Sequence, residues 1–465
     1  MNVFLLMPKI SGRYGRPSCP PVGLGYLIAS LKSQGHKVAA LDLRVEPSNS
    51  NYIQKIKDFK PDLIGISFTS CNYQAVYSLI KLLKLKIWIP VVIGGPHVSV
   101  KKDAVLKECA ADYAVYGEGE AALAGLANGM SPKDIKSLIW RKGEEIIINP
   151  QEDFISNLDN LPFPEYEPFG LEKYSEKKIS LTTARGCPHF CVYCAVDLVI
   201  GRRFRMRSVK SVVEEIEHWY SKGYKKFGFN DDTFTENPKR AEQICDELIR
   251  RNLKISWDLR TGIRVDRVNK ILLEKIKKAG CDFVAFGIES FDKKVLENMR
   301  KGTTPQQALE AVKMAKAVGL GVGGFFMIGN PGDSYTAFRR TYEFARQPFF
   351  DEVRFYNVEP YPGTQLYQWI EKNNYFLVSP EHALNYYSRW QEKPIFATPD
   401  FPAKERVRAF NDGEILVVTK LLNKVFGQKA GSLMLVFCYS KFLRRMILNI
   451  GFKSARIIAK FKKTL

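Results

Sequence analysis

The chain has 465 residues, too long for one compact core and suited to two or three domains. Hydrophobic residues make up 45% and aromatic residues 12%, which excludes intrinsic disorder as the main state. The formal charge of +21 invites an anionic partner, yet residues 415–465 hold eleven basic and no acidic residues, leaving +10 for everything before them.

The opening Met1–Lys9 has no basic segment ahead of its short apolar run and reads as a strand, not a signal peptide. No stretch reaches the ~18 uninterrupted apolar residues of a spanning helix. Nine cysteines, three of them crowded between Cys187 and Cys194, point to a reducing, cytoplasmic setting with one metal or redox site rather than a disulfide framework.

Residues 1–135 alternate short apolar runs with helical patterns. Strands are predicted at Val3–Met7, Val38–Leu43, Leu63–Phe68, Val91–Gly94 and Tyr113–Tyr116. Helices are predicted at Leu24–Gln34, Ile53–Phe59, Gln74–Leu83, Ala104–Cys109 and from Glu118. This rhythm implies a parallel, doubly wound sheet, whose ligands bind at the strand C-terminal ends. Residues 136–175 form a linker: a hairpin of Ser137–Arg141 and Ile146–Ile148, then the Pro-rich Leu161–Pro168, read as extended chain over the surface.

A second alternating series fills residues 176–375. Its strands are predicted at Ile179–Thr183, Lys226–Asn230, Ile255–Leu259, Phe283–Phe286, Gly321–Ile328 and Glu352–Val358. Helices are predicted between them at Val209–Lys222, Pro238–Arg251, Val268–Ala279, Thr304–Val318 and Ser334–Arg346. Six such units make a full or partial barrel. Residues 376–465 turn irregular, then helical and basic. There Phe442, Leu443, Met446, Ile447, Ile450, Ile457, Ile458, Phe461 and Leu465 recur at helical steps among Lys and Arg. Such a basic amphipathic helix suits the inner face of an anionic membrane, or docks on the barrel with its charges solvated. Nucleic acid is not expected, since no stacking platform or groove-reading motif accompanies the charge.

Directly after the first barrel strand, Cys187, Cys191 and Cys194 are spaced C-x3-C-x2-C with no fourth cysteine nearby. Four thiolates would close a structural zinc or an ordinary ferredoxin cluster, whereas three leave one corner of a four-iron cluster open. Zinc completed by His189 or a distant cysteine is the alternative. Over about residues 179–370 the sequence resembles the radical S-adenosylmethionine (SAM) enzymes, whose signature is C-x3-C-x-aromatic-C in this loop. The resemblance implies a [4Fe-4S] cluster that chelates SAM and reductively cleaves it to methionine and a 5′-deoxyadenosyl radical, fed by an external donor of flavodoxin or ferredoxin type under anaerobic conditions.

It also implies SAM contacts. Tyr193 fills the aromatic slot near adenine. Asp231, Asp232 and Thr233 follow the second strand, where an acidic pair suits the ammonium, although one Asp could instead cap the next helix. Glu289 and Ser290 end the fourth strand, where the family contacts ribose or carboxylate. Arg264, with Arg260 competing, could pair with that carboxylate. Met327 and Gly329 belong to an I-G-x-P-G-E-like turn near adenine, and turn-making alone would also explain the glycine.

The sheet ahead of the barrel resembles the cobalamin-binding class of these enzymes, implying an α/β chain with an N-terminal Rossmann-like domain, a partial (β/α)6 TIM-type barrel and a C-terminal helical region. The match implies cobalamin contacts from Pro21, Gly23, Leu24 and Gly25, from Ser67 and Thr69, from Gly94, Gly95, Pro96 and His97, and from Tyr116, Gly117 and Glu118. The D-x-H-x-x-G motif that ligates cobalt in the mutases is absent, and Asp42-Leu43-Arg44 stands where it would begin. His97 is either a contact to the cofactor or a loop histidine capping the next turn. The implied reaction is methylation of an unactivated carbon or phosphorus centre of a hydrophobic or lipid-like substrate. The competing readings are cobalamin-dependent cyclisation, oxidation or carbon–carbon bond formation on a tetrapyrrole or lipid, and a non-catalytic cobalamin- or RNA-binding regulator.

Overall fold

A computed structural model describes residues 1–9, 16–47, 49–102, 104–380, 383–384 and 392–427; the expected basic amphipathic helix of the tail lies outside them. The first sheet has strands β1 (Asn2–Met7), β2 (Lys37–Asp42), β3 (Leu63–Ser67), β4 (Val91–Gly94), β5 (Tyr113–Val115), β6 (Leu138–Lys142) and β7 (Glu145–Ile148). They lie in the order β2-β1-β3-β4-β5-β6-β7. β1 to β5 are parallel. The hairpin β6–β7 therefore does not stay in the linker; it adds to β5 in antiparallel register, Ala114 opposite Ile139. Burial at the start of β6 explains this: the consecutive Leu138 and Ile139, which point to opposite faces of the sheet, are both fully buried, while Lys142 and Glu145 at the turn face water.

The Pro-rich stretch is not laid over the surface. Tyr166 is fully buried, stacks obliquely on Trp219 at 5.4 Å and donates its hydroxyl to Ser180 O at 2.7 Å. Its ring occupies the space where any side chain on Gly25 would sit, so the linker is a wedge between the two units. Aromatic residues among prolines supply the packing that prolines alone lack.

The second unit has strands β8 (Lys178–Leu181), β9 (Ala184–Arg185), β10 (Arg205–Met206), β11 (Lys226–Phe229), β12 (Ser256–Ile263), β13 (Cys281–Glu289), β14 (Gly321–Ile328) and β15 (Glu352–Asn357). Six of them form an all-parallel sheet, β15-β14-β13-β12-β11-β8, curled as a partial barrel that stays open between β15 and β8. Side-chain caps set the helices between them: Asn237 caps Pro238–Arg250, and Thr304 with Gln307 forms a capping box on Pro305–Ala317. The helix Ala403–Phe426 closes the described chain against β15 and plants the fully buried Arg406 beneath the strand ends. Its guanidinium donates to Ile328 O at 3.1 Å and Phe396 O at 2.6 Å.

Candidate active site

Strand β8 leads into the cysteine loop through a fixed corner. Asp231, fully buried after β11, accepts from the backbone N–H and hydroxyl of Thr183 and from Ala184 N–H at 3.2 Å. Gly186 then turns at φ +87, where a Cβ would be driven into Arg203 O. Cys187 N–H donates to Gly201 O, Val192 N–H to Met299 O and Cys194 N–H to Cys191 O. The three thiols are free and half-buried. Burial pushes the Cys187 thiol up and the Cys194 thiol up to about 12.

Among the described residues no three Cys, His, Asp or Glu side chains converge as ligands of one ion. Three thiols on one loop, none in a disulfide, suit a four-iron cluster in which each thiolate takes its own iron. His189 is also engaged, with Nε2 at 2.7 Å from Glu236 Oε2. The donor set therefore fits a cluster with one open corner.

The remaining expected SAM residues divide into two groups. Asp232 is exposed toward a cavity, its carboxyl pushed up to about 6 by the burial around it and by the charge of Asp231. Thr233 is buried with its hydroxyl unpartnered, as are both polar side-chain atoms of buried Asn330. Tyr193 donates to Glu289 at 3.3 Å, and burial with Glu289's charge pushes its phenol up. Glu289 stands at φ +66 and pairs with buried Lys301 at 3.0 Å. Met327 packs half-buried in the same apolar cluster as Tyr193.

The others are engaged within the protein. Ser290 shares its hydroxyl with Thr341 and the N–H of Asp292. Arg264 forks onto Asp266 and donates to Lys301 O. Arg260 pairs with Glu352 over the ring of Phe283. Gly329, at φ +92, leaves room for the Arg406 guanidinium. Lys301 and Arg406 went unnoticed in sequence, because neither belongs to a spaced motif, while Asn330 fills the variable position of the I-G-x-P-G-E-like turn and was not singled out within it.

One cavity of about 330 Å³ opens between the two units. Gly23, Leu24, Ser67, Gly94, Gly95, Pro96, Gly117 and Glu118 line one side, and Thr182, Ala184, Arg185, Asn230 and Asp232 the other. Pro21, Gly25, Thr69, His97 and Tyr116 stand back from it. Pro21 precedes the first helix, Thr69 forms a capping box with Asn72, and Tyr116 donates to Asn149 O at 2.7 Å. His97 fits neither expected role. Pro96 starts the short helix Pro96–Lys101, which turns the ring inward to stack on Tyr73 at 4.9 Å, between Ser70 and the Tyr77 hydroxyl. Burial then holds it neutral, its pKa lowered to about 3. Asp42, where the cobalt-ligating motif would begin, is bound to Arg44 and the Tyr174 hydroxyl.

A band of buried charge joins the two sides. Glu118 accepts from Arg185 at 2.9 Å and Arg205 at 2.8 Å, while Glu120 accepts from Arg185 at 2.7 Å. Arg185 also lies over the Tyr26 ring at 4.9 Å. The first sheet thus grips the residue that enters the cysteine loop.

Residues 181–345 match the radical SAM superfamily, and residues 14–127 match the B12 binding domain. The chain is 36% identical over 392 residues to an uncharacterized methyltransferase of Pyrococcus horikoshii, covering 81% of this chain and 84% of that one. It is 27% identical over 450 residues to the cytidylyl-2-hydroxyethylphosphonate methyltransferase of Streptomyces wedmorensis, covering 82% and 84%. Its fold is similar to that of the radical SAM methyltransferase TsrM of Kitasatospora setae, solved with cobalamin and a [4Fe-4S] cluster, with a TM-score of 0.69, 20% identity and coverage of 80% and 78%. The chain belongs to the radical SAM family, in the methyltransferase-containing branch that carries a B12-binding domain, and its cofactors are a [4Fe-4S] cluster, SAM and cobalamin.

Proposed function

We propose that the protein methylates an unactivated carbon, or a phosphorus, centre of a hydrophobic or lipid-like small molecule. The observation that carries this reading is the cavity of about 330 Å³, with the glycine edge of the first sheet on one side and the cysteine-loop side of the barrel on the other. The methyltransferase names of the relatives support the reaction class, and Leu24, Ile66, Ile93 and Ile200 in the lining support an apolar substrate. When bound, the cofactors supply hydrogen abstraction by a radical and a transferable methyl group.

The chain's own residues hold, orient and screen. Cys187, Cys191 and Cys194 would hold the cluster. Asp232 offers charge to the SAM amino group, and the unpartnered Thr233 and Asn330 offer hydrogen bonds whose absence would cost ~1–3 kcal/mol per buried group. Lys301 pairs with Glu289 and also lies within hydrogen-bond reach of the Tyr193 hydroxyl, which fixes both side chains in place. Gly94 and Gly117 leave the first wall smooth enough for a broad, flat ring system. The same reading includes an external one-electron donor of flavodoxin or ferredoxin type, a cytoplasmic setting and contact of the basic tail with the inner membrane face.

The protein, reconstituted anaerobically with iron, sulfide and cobalamin and reduced, is given methyl-labelled SAM and a lipid or tetrapyrrole extract. Label should enter an extractable product as 5′-deoxyadenosine and S-adenosylhomocysteine appear. A product that loses hydrogens or gains oxygen without label overturns methylation in favour of cyclisation or oxidation. A Cys194→Ala protein that still yields 5′-deoxyadenosine overturns the cluster assignment.

A further inference from the structure

The helix Tyr73–Lys86 already has a complete inward stripe, with Val76, Ile80 and Leu83 fully buried. Folding therefore asks nothing of Leu82 and Leu85, yet both are large, apolar and outward, 37% and 71% exposed. One turn further on, Trp88 is 96% exposed. An isolated exposed leucine is ordinary; two leucines and a bare tryptophan within seven residues are not.

The loop that carries Trp88 is fixed. Lys84 Nζ donates to Ile89 O at 3.2 Å and pairs with Asp112, and Ile87 is buried beneath. Trp88 is thus held outward instead of folding back on its own sheet. Residues 73–90 contain no acidic residue. Lys81 and Lys86, on either side of Leu85, are exposed and enter no ion pair among the described residues. At the same strand-start edge of the sheet stand exposed Lys37 and Lys60 and the 49% exposed Met1. The cavity lies at the opposite end of β4, lined by Gly94, so an occupant of this patch leaves it open.

We propose that Leu82, Leu85 and Trp88, framed by Lys81 and Lys86, form a docking surface for the headgroup region of an anionic lipid bilayer. A tryptophan at the tip, leucines beside it and lysines able to snorkel are the composition that interfacial contacts select. The positive charge, unopposed by acids along this helix, chooses an anionic surface over an apolar groove on a protein. The surface is distant in sequence from the basic tail and rests on no part of the reaction proposed above.

The test is co-sedimentation of the full chain with vesicles of mixed phosphatidylcholine and phosphatidylglycerol, and with phosphatidylcholine alone. The wild type should favour the mixed vesicles, and Leu85→Ser/Trp88→Ser should partition about tenfold less, given the apolar area withdrawn. Lys81→Glu/Lys86→Glu should lose the preference for phosphatidylglycerol. Both variants change only exposed side chains and should keep the wild-type melting temperature and cobalamin content. Unchanged partitioning of Leu85→Ser/Trp88→Ser, with binding lost only when residues 428–465 are removed, overturns the proposal in favour of the tail. A wild type that ignores both vesicle types overturns it as well. So does a wild-type dimer that Leu85→Ser/Trp88→Ser converts to monomer while vesicle binding stays unchanged, since the patch would then face a second copy.

Discussion

His97 shows how one buried ring makes stability depend on pH. Its folded pKa, lowered to about 3, lies below the ordinary histidine value of 6.5, with Lys101 adding to the effect of burial. Tyr73, Tyr77, Phe68 and Ser70 face the ring, and none supplies a negative charge. The unfolded chain therefore binds the proton first. Stability from the neutral ring is complete above the unfolded value and falls as pH drops toward the folded one. Between about pH 7 and pH 4 the wild type should lose roughly 3 kcal/mol more than His97→Phe. Urea titrations of both proteins across that range check the difference, and parallel curves would refute it. Gly186 is the other residue whose role is local. An Ala there meets Arg203 O and a disfavoured φ together, so Gly186→Ala should bind well under half the iron of the wild type on reconstitution while its cobalamin content is unchanged.

Among the elements, the loop after β5 does more than line the cavity. Glu118 and Glu120 take Arg185 and Arg205, all four nearly enclosed. Glu118→Gln leaves Arg205 with the carbonyls of Ile155 and Ile200 and no carboxylate, and should cost roughly 3 kcal/mol in denaturant unfolding. Glu120→Gln should cost less, because Arg185 keeps Glu118. Equal losses would mean that the two carboxylates act as one unit. None of this clamp was legible in the sequence, because each partner comes from a different unit, 65 to 87 residues away. What was legible is local. Strand–helix alternation located all six strands of the curled sheet and the first five of the other, with Val91–Gly94 and Gly321–Ile328 at their observed bounds. The spacing of the three cysteines and the glycines at strand ends are equally local. Local reading failed at His97, where Gly-Gly-Pro looks like open loop but Pro96 starts a helix. It failed at Gly25 and Gly329, whose neighbours Tyr166 and Arg406 arrive from far along the chain.

At the scale of the whole molecule, the cysteine loop stands apart from what holds the protein together. The barrel core runs from Ile179 to Leu422 through Trp219, Trp257 and Phe326, and two further cores fill the faces of the first sheet. The loop contributes Val192 and the half-buried Tyr193 to apolar packing, in a satellite cluster. On this packing iron should be a passenger on a finished fold, unlike the metal of a zinc finger, whose binding energy is folding energy. Stripping iron anaerobically with a chelator should leave the far-ultraviolet dichroism unchanged and shift the melting temperature by no more than about 5 °C. The iron-free protein should still take up cobalamin, because the glycine edge proposed to receive it is built by β1, β3, β4 and β5 without help from the loop. If chelation instead collapses the dichroism or abolishes cobalamin uptake, the loop must be counted as part of the scaffold. The clamp of Glu118 and Glu120 on Arg185 would then be the route by which its loss reaches the first sheet.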